Sequence, residues 1–383
     1  MEDGRRMLAE GRAADAEALF AEAVQIWTAL WGPGAPDPLA ARTVRARALR
    51  RLGRTAEAEA ELRAVIAVTS ATAALLPLDG SARLLLAGIL LSSQRAREAL
   101  EGLDALVARS AHGPQDLTGS AALTMRAAAL SVLGRHAEAA EQSGEAAAGI
   151  ADEYGAGHAR ALRARASRAH DLAQLGRYDE AEAECRALIG AAAGLDPGAA
   201  SELDRSARGA LVFSLVGLGR ALEAEAEARA AIRSATTVAS AARSYPVTLQ
   251  LGLARALNAQ GRHEEALDTA RSAEAAYVGT ADARPQFVAA ISLAVATAQL
   301  ALGRPDEARH AADRALAGCR ATLGPYHHRT LEAGTLHGMV LAAEGSTAAA
   351  REQLAPNAAA WREHFGADHP GTRTAEASLA ALG

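Results

Sequence analysis

The sequence predicts an all-α solenoid, a single array over residues 1–383 of about nine helix-turn-helix repeats closed by a C-terminal capping helix. Three observations carry that reading. A short phrase recurs at nearly constant spacing, each period holds two stretches of helical hydrophobic periodicity, and no stretch alternates as a strand would.

The phrase is Leu-Gly-Arg, two variable residues, then Glu-Ala. It starts at Leu52, Leu133, Leu175, Leu218 and Leu302, with close variants at Glu10 and Gln260 and degenerate copies at Ser93 and Glu344. Its glycine or substitute falls at Gly11, Gly53, Gln94, Gly134, Gly176, Gly219, Gly261, Gly303 and Gly345, at intervals of 42, 41, 40, 42, 43, 42, 42 and 42 residues.

Within each period the first helix ends at the glycine, which tolerates the left-handed conformation of a helix C-terminus. The second opens about three residues later, and Pro305 suits such a first turn because its missing N–H costs nothing there. Small residues stand seven before the glycine (Ala46, Ala127, Ala169, Ala254, Ala296, Gly338) and face the alanine of Glu-Ala (Ala58, Ala139, Ala181, Ala266, Ala308), so two antiparallel helices can approach closely. Leu253, Leu257, Leu267 and Ala270 illustrate the apolar spacing. The recurring glutamates read as first-turn acids favoured by the helix dipole. Residues 190–200, rich in Gly and Ala and carrying the extra residue of the 43-residue period, are the expected hinge, and residues 370–383 the solvating cap. The first helix is expected to be short, since only ten residues precede Gly11.

Glycine at the turn and alanine five residues later resemble the tetratricopeptide repeat. The 42-residue period resembles its kinesin-light-chain-like subclass, whose inter-repeat loop reads Leu-Gly-x-x-His-Pro-x-Thr-Leu. Residues 365–372 (FGADHPGT) and 323–331 (LGPYHHRTL) are similar, with His328 and His369 near the same loop position; 154–162 and 31–39 are fainter copies.

That resemblance implies a right-handed superhelix whose first helices line a concave groove, at positions 13, 10, 6, 3 and 2 before each turn residue. Repeat two then offers Thr43, Arg47, Arg50 and Arg51; repeat four Thr124, Ala128 and Ser131; repeat five Arg163, His170 and Gln174; repeat six Ser206, Phe213 and Val216. Repeat seven offers Thr248, Leu251, Arg255 and Asn258; repeat eight Ala290, Leu293 and Thr297; repeat nine Glu332, Thr335 and Met339. Asn and Gln pair with peptide backbone and Arg grips carboxylates, so the expected ligand is a protein or peptide segment, acidic or with a free C-terminal carboxylate, and with an apolar anchor.

Composition bounds the rest. The net charge of −5 has both signs interspersed, which argues against nucleic acid as partner, and no apolar run is long enough for a membrane span. All 40 basic residues are Arg and Asn occurs only at Asn258 and Asn357, a bias expected of a GC-rich bacterial genome, such as an actinobacterial one. The N-terminus lacks the apolar core of a signal peptide, and Cys185 and Cys319 form no framework, so a cytoplasmic protein with two buried, inert thiols is expected. Arg45, Arg126 and Arg168, where the family usually has Leu, are expected to pair with acids on neighbouring second helices. His327, His328 and His337 read as loop-structural, with no metal site and no cofactor. The function expected is a binding scaffold or sensor that holds a partner segment in the groove. The alternatives are an enzyme or enzyme subunit using the cavity, for which His170 with Arg163 and Gln174 is the visible candidate, and a ligand-sensing partner of a bacterial transcriptional regulator.

Overall fold

The computed structural model describes residues 2–109, 117–237, 244–280 and 283–383, and these contain no strand. Among the described residues nineteen α-helices follow one another. They begin α1 (Glu2–Ala9), α2 (Ala13–Trp31), α3 (Pro36–Arg51), α4 (Thr55–Thr69), α5 (Leu76–Ser92), α6 (Ala96–Arg109) and α7 (Leu117–Val132). The middle of the chain forms α8 (His136–Tyr154), α9 (Ala159–Gln174), α10 (Tyr178–Ala192), α11 (Pro197–Gly217), α12 (Ala221–Thr237) and α13 (Ser244–Ala259). The last are α14 (His263–Tyr277), α15 (Pro285–Ala301), α16 (Pro305–Leu323), α17 (His328–Ala343), α18 (Thr347–Phe365) and α19 (Pro370–Ala380). The chain divides into two compact units, Met1–Leu130 and Ser131–Gly383. The 190–200 connector joins α10 to α11 inside the second unit, where those two helices pack on each other.

The repeated phrase has a structural reason for every letter. All eight phrase glycines are left-handed, with φ between 71° and 83°, and Gln94 takes the same conformation at φ 62° without being glycine. A side chain at positive φ is strained by about 1–2 kcal/mol. Gln94→Gly is therefore expected to raise stability by about 0.5–1 kcal/mol, net of the backbone entropy that glycine brings to the unfolded chain. Chemical denaturation of the two proteins would show it; a lower midpoint for the glycine variant would mean that the glutamine side chain is held by its surroundings.

The Arg of the phrase opens the second helix and closes on the Glu three residues later: Arg54–Glu57, Arg135–Glu138, Arg177–Glu180, Arg220–Glu223 and Arg262–Glu265 lie at 2.6–2.7 Å. The same guanidinium reaches back to the preceding repeat, as in Arg95–Glu59 at 2.8 Å and both Arg220–Glu182 and Arg262–Glu225 at 2.6 Å. The phrase thus extends to Glu-Ala-Glu, the second Glu being the partner of the next repeat's Arg. Each exposed pair contributes little alone, but the ladder fixes how successive repeats stack.

Small faces small as expected: Ala169, Ala181, Ala254, Ala266, Ala296 and Ala308 are fully buried. Arg45 pairs with Glu17 and Glu61, and Arg126 with Asp104. Arg168 departs from the expectation. Its stem lies over Gly144 instead, and it makes no ion pair among the described residues, although its charge helps hold the Glu180 carboxyl down. Cys185 and Cys319 are buried, and desolvation pushes their thiols up to about 12 and about 11, so both stay protonated and unreactive at neutral pH.

Candidate ligand cavity of the second unit

The second unit closes on itself. His136, at the start of α8, places Nε2 2.8 Å from Nδ1 of His328, the first residue of α17. His369, before α19, donates from Nε2 to the Gln174 carbonyl at 3.0 Å. Gly134 stands against His327, and Gly176 against Pro370. The first and last repeats of this unit are therefore in contact, and the groove between them becomes a concave cavity open on one side.

Three histidines cap helices by the same geometry. His158, His327 and His369 each accept, at Nδ1, the backbone N–H two residues on, from Arg160, Arg329 and Gly371. Thr330 and Thr372 close the last two loops by donating to the Gly324 and Gly366 carbonyls at 2.7 Å. His327, not His328, thus occupies the place of His369; His328 replaces the proline that follows, Pro370.

Freed from that loop role, His328 joins a buried network. Asp171 accepts from Ser131 Oγ and from His136 Nδ1, both at 2.7 Å. A carboxylate can only accept, so neutral His136 has an unprotonated Nε2, and His328 donates to it from Nδ1. Donor atoms of His136, His327 and His328 lie within 4.8 Å of one another. Both nitrogens of His136 and Nδ1 of each of the other two are already engaged in hydrogen bonds, a structural use of these rings.

The cavity measures about 710 Å³ and adjoins a second chamber of about 370 Å³. First helices line it. His170 and Gln174 come from α9, Phe213 from α11, Leu251, Arg255 and Asn258 from α13, and Leu293 and Thr297 from α15. Met339 and Leu336 of α17, Tyr178, Trp361 and the start of α19 line the second chamber. Position −6 from the turn glycine points inward in every repeat from five to nine (His170, Phe213, Arg255, Thr297, Met339). Of the other candidates, Ser206, Val216, Thr248, Ala290 and Glu332 also line the main cavity and Thr335 the second chamber, whereas four arginines do not. Arg163 is exposed on α9 near Glu202, outside the cavity lining. Arg47, Arg50 and Arg51 sit on α3 of the first unit, where Arg51 reaches the Leu8 carbonyl. Partial burial, with Arg5, Arg50 and Arg51 alongside, pushes the Arg47 guanidinium down from its ordinary value.

The lining is ordered by charge. Arg255 pairs with Glu332 at 2.6 Å and lies 4.7 Å over the Phe213 ring. His170 is pushed down to about 4, by burial first and then by His136 and Arg329 against the opposing pull of Asp171. Gln174 Oε1 is buried without a hydrogen-bond donor. Two features escaped sequence reasoning. Arg329 lies outside the lining positions that the repeat suggests, yet a cation in a first helical turn, against the dipole, was a visible sign. The chamber supplied by Trp361 and α19 depends on ring closure, for which the periodic pattern carries no signal.

Fold and site together define a helical-repeat protein with a concave cavity. One tetratricopeptide-repeat model matches residues 7–71, a second matches 120–144, 162–187 and 247–272, and a third matches 289–329. The chain is a tetratricopeptide-repeat protein. A search of the curated proteins found no match. Among solved structures, a Rap protein complexed with competence and sporulation factor superposes with a TM-score of 0.59 at 12% identity, over 91% of this chain and 98% of that one. NprR in complex with its cognate peptide NprX gives 0.58 at 13% identity, over 79% and 87%. The apo form of RapI gives 0.54 at 9% identity, over 100% and 95%. Likeness at these identities is one of fold. Among the described residues, no helix is long and apolar enough to cross a membrane.

Proposed function

We propose that this protein is a binding scaffold or sensor whose second unit holds a segment of a protein or peptide, and that its work is recognition and not bond chemistry. The observation that carries this reading is the concave cavity itself, lined by the inward face of five consecutive first helices. Its volume suits a ligand site, and its lining alternates aromatic and aliphatic walls with a few placed polar groups. Two structures of like fold hold a peptide or factor by their own descriptions, which supports the same use here. The ligand we infer has an apolar side chain for the chamber of Leu336, Met339 and Trp361 and an acidic or C-terminal carboxylate for the arginines. Movement on binding is assigned to the 190–200 connector.

The test is selection from a random peptide pool on immobilised protein, with Phe213→Glu beside wild type. Phe213 is half-buried in the wall and packs against the core cluster that includes Leu172 and Ala181, so the charge fills the cavity with the wrong chemistry, and matched helicity of the two proteins is checked first. Expected is a consensus enriched on wild type and lost, at least tenfold, on the variant. No enrichment on wild type, or the same enrichment on both, would refute peptide binding in this cavity. A radius of gyration unchanged at saturation would remove the hinge.

A further inference from the structure

Arg329 is a charged side chain of the cavity whose guanidinium no described residue pairs with directly. It belongs to the first turn of α17, where the helix dipole is positive, and it lines the main cavity. Its backbone N–H goes to His327 Nδ1, but its guanidinium makes no hydrogen bond or ion pair among the described residues. Glu332, one turn along the same helix, is taken by Arg255. Glu202, on another wall, is near Arg163 at 3.6 Å. The nearby anion, Glu332, acts on Arg329 only from a distance while paired to Arg255; of the other groups, His327 and His328 precede it, His170 lies opposite, and Arg255 is a second cation. Desolvation is the largest influence on this guanidinium and pushes it down from its ordinary value, with Arg255 adding to the shift and Cys319 and Glu332 opposing it. A half-buried cation without a counter-ion is costly, and at a helix N-terminus more so. Such an arrangement is tolerated where a ligand supplies the missing charge.

We propose that Arg329 is the carboxylate receptor of the cavity: its guanidinium takes a carboxylate of the bound peptide, while a backbone N–H of the same ligand answers the orphaned Gln174 oxygen. This rests on the peptide-binding reading and adds which residue sets ligand charge. It also makes the ligand-free protein carry a built-in strain that ligand relieves, so removing the cation stabilises the empty protein and weakens the loaded one.

The experiment uses the full chain as wild type, Arg329→Gln and Arg329→Lys, against three hexapeptide pools: random free acids, the same pool as C-terminal amides, and free acids lacking Asp and Glu. Arg329→Gln is expected to lose about tenfold to a hundredfold in affinity for the free-acid pool, the scale of a charge-assisted hydrogen bond. Arg329→Lys recovers part of it, keeping charge but losing the planar fork. Ligand-free Arg329→Gln is expected to melt about 2–4 °C above wild type. Dependence on Arg329 that survives without Asp and Glu assigns the C-terminal carboxylate; dependence confined to acidic sequences, amidated or not, assigns a side-chain carboxylate; either supports the receptor. If the pools bind wild type and Arg329→Gln equally, or Arg329→Gln melts below wild type, the assignment to Arg329 falls while peptide binding stands. If no pool binds wild type, peptide binding falls and the receptor with it.

Discussion

Acidification from pH 7 to pH 4.5 is expected to lower the stability of the protein by up to about 3 kcal/mol for each of His170, His327 and His328, and by less for His369. Burial pushes His170 down to about 4 and His327 to about 2, and lowers His328 and His369 as well. The geometry explains why these rings resist a proton. Nδ1 of His327 and His369 faces a backbone N–H, so a proton there would oppose two donors and open the cap. Arg329 acts in the same direction as burial on His170, His327 and His328, and Arg373 on His369; Asp171 opposes at His170, and the Gln174 carbonyl and Glu332 oppose at His369, but burial outweighs them. The unfolded chain takes up protons as pH falls through about 6.5, whereas the folded chain does not, so stability is fully present above 6.5 and is lost below it. The loss continues to about pH 4 for His170 and on toward 2 for His327. Denaturant midpoints at half-unit pH steps would trace it, and His327→Asn, which can still cap α17, should flatten the slope between 6.5 and 4.5. A flat wild-type profile over that interval, or an unchanged slope in His327→Asn, would refute this account.

How much of this was legible in the sequence follows from distance along the chain. The helix pairs, the turn glycines, the small-residue contacts and the inward position six before each glycine are local or one repeat away, and repetition wrote them several times. The resemblance to the tetratricopeptide repeat, applied at each turn glycine, thus implied that positions such as His170, Phe213, Arg255 and Met339 face inward, and they line the cavity. The ion-pair ladder was half visible: the first-turn Glu was read as a dipole partner, but its Arg was not read as the residue that joins two repeats. Ring closure was invisible, because the contact between α8 and α17 depends on the summed rotation of many repeats and on side chains that break the pattern. His136 fills a variable position of the phrase, and His328 stands where the loop usually has proline. The division of the chain at Leu130–Ser131 follows the degenerate third repeat, whose Gln94 departs from the phrase.

Asp171→Ala is expected to cost about 3–5 kcal/mol, because it removes the acceptor on which the ring closure rests. Asp171 is 1% exposed and holds two donors, Ser131 Oγ and His136 Nδ1. Truncation leaves the buried His136 N–H and the half-buried Ser131 hydroxyl without their acceptor, and it frees His136 to change tautomer, which removes the acceptor that His328 uses. Asp171→Asn, keeping one acceptor oxygen, should lose about half as much. The consequence reaches the cavity, since His328 is followed by Arg329 and Glu332 on the same helical face. Loss of the anchor should therefore weaken peptide binding as well as stability, although Asp171 is absent from the cavity lining. A double-mutant cycle of Asp171→Ala with His328→Ala is the decisive form of the measurement. Coupling of about 1 kcal/mol or more would show that two residues almost half the chain apart act as one unit. Additive losses would mean that each is held by its own repeat, and that the wall of the cavity is closed by the backbone contacts of Gly134 and Gly176 instead.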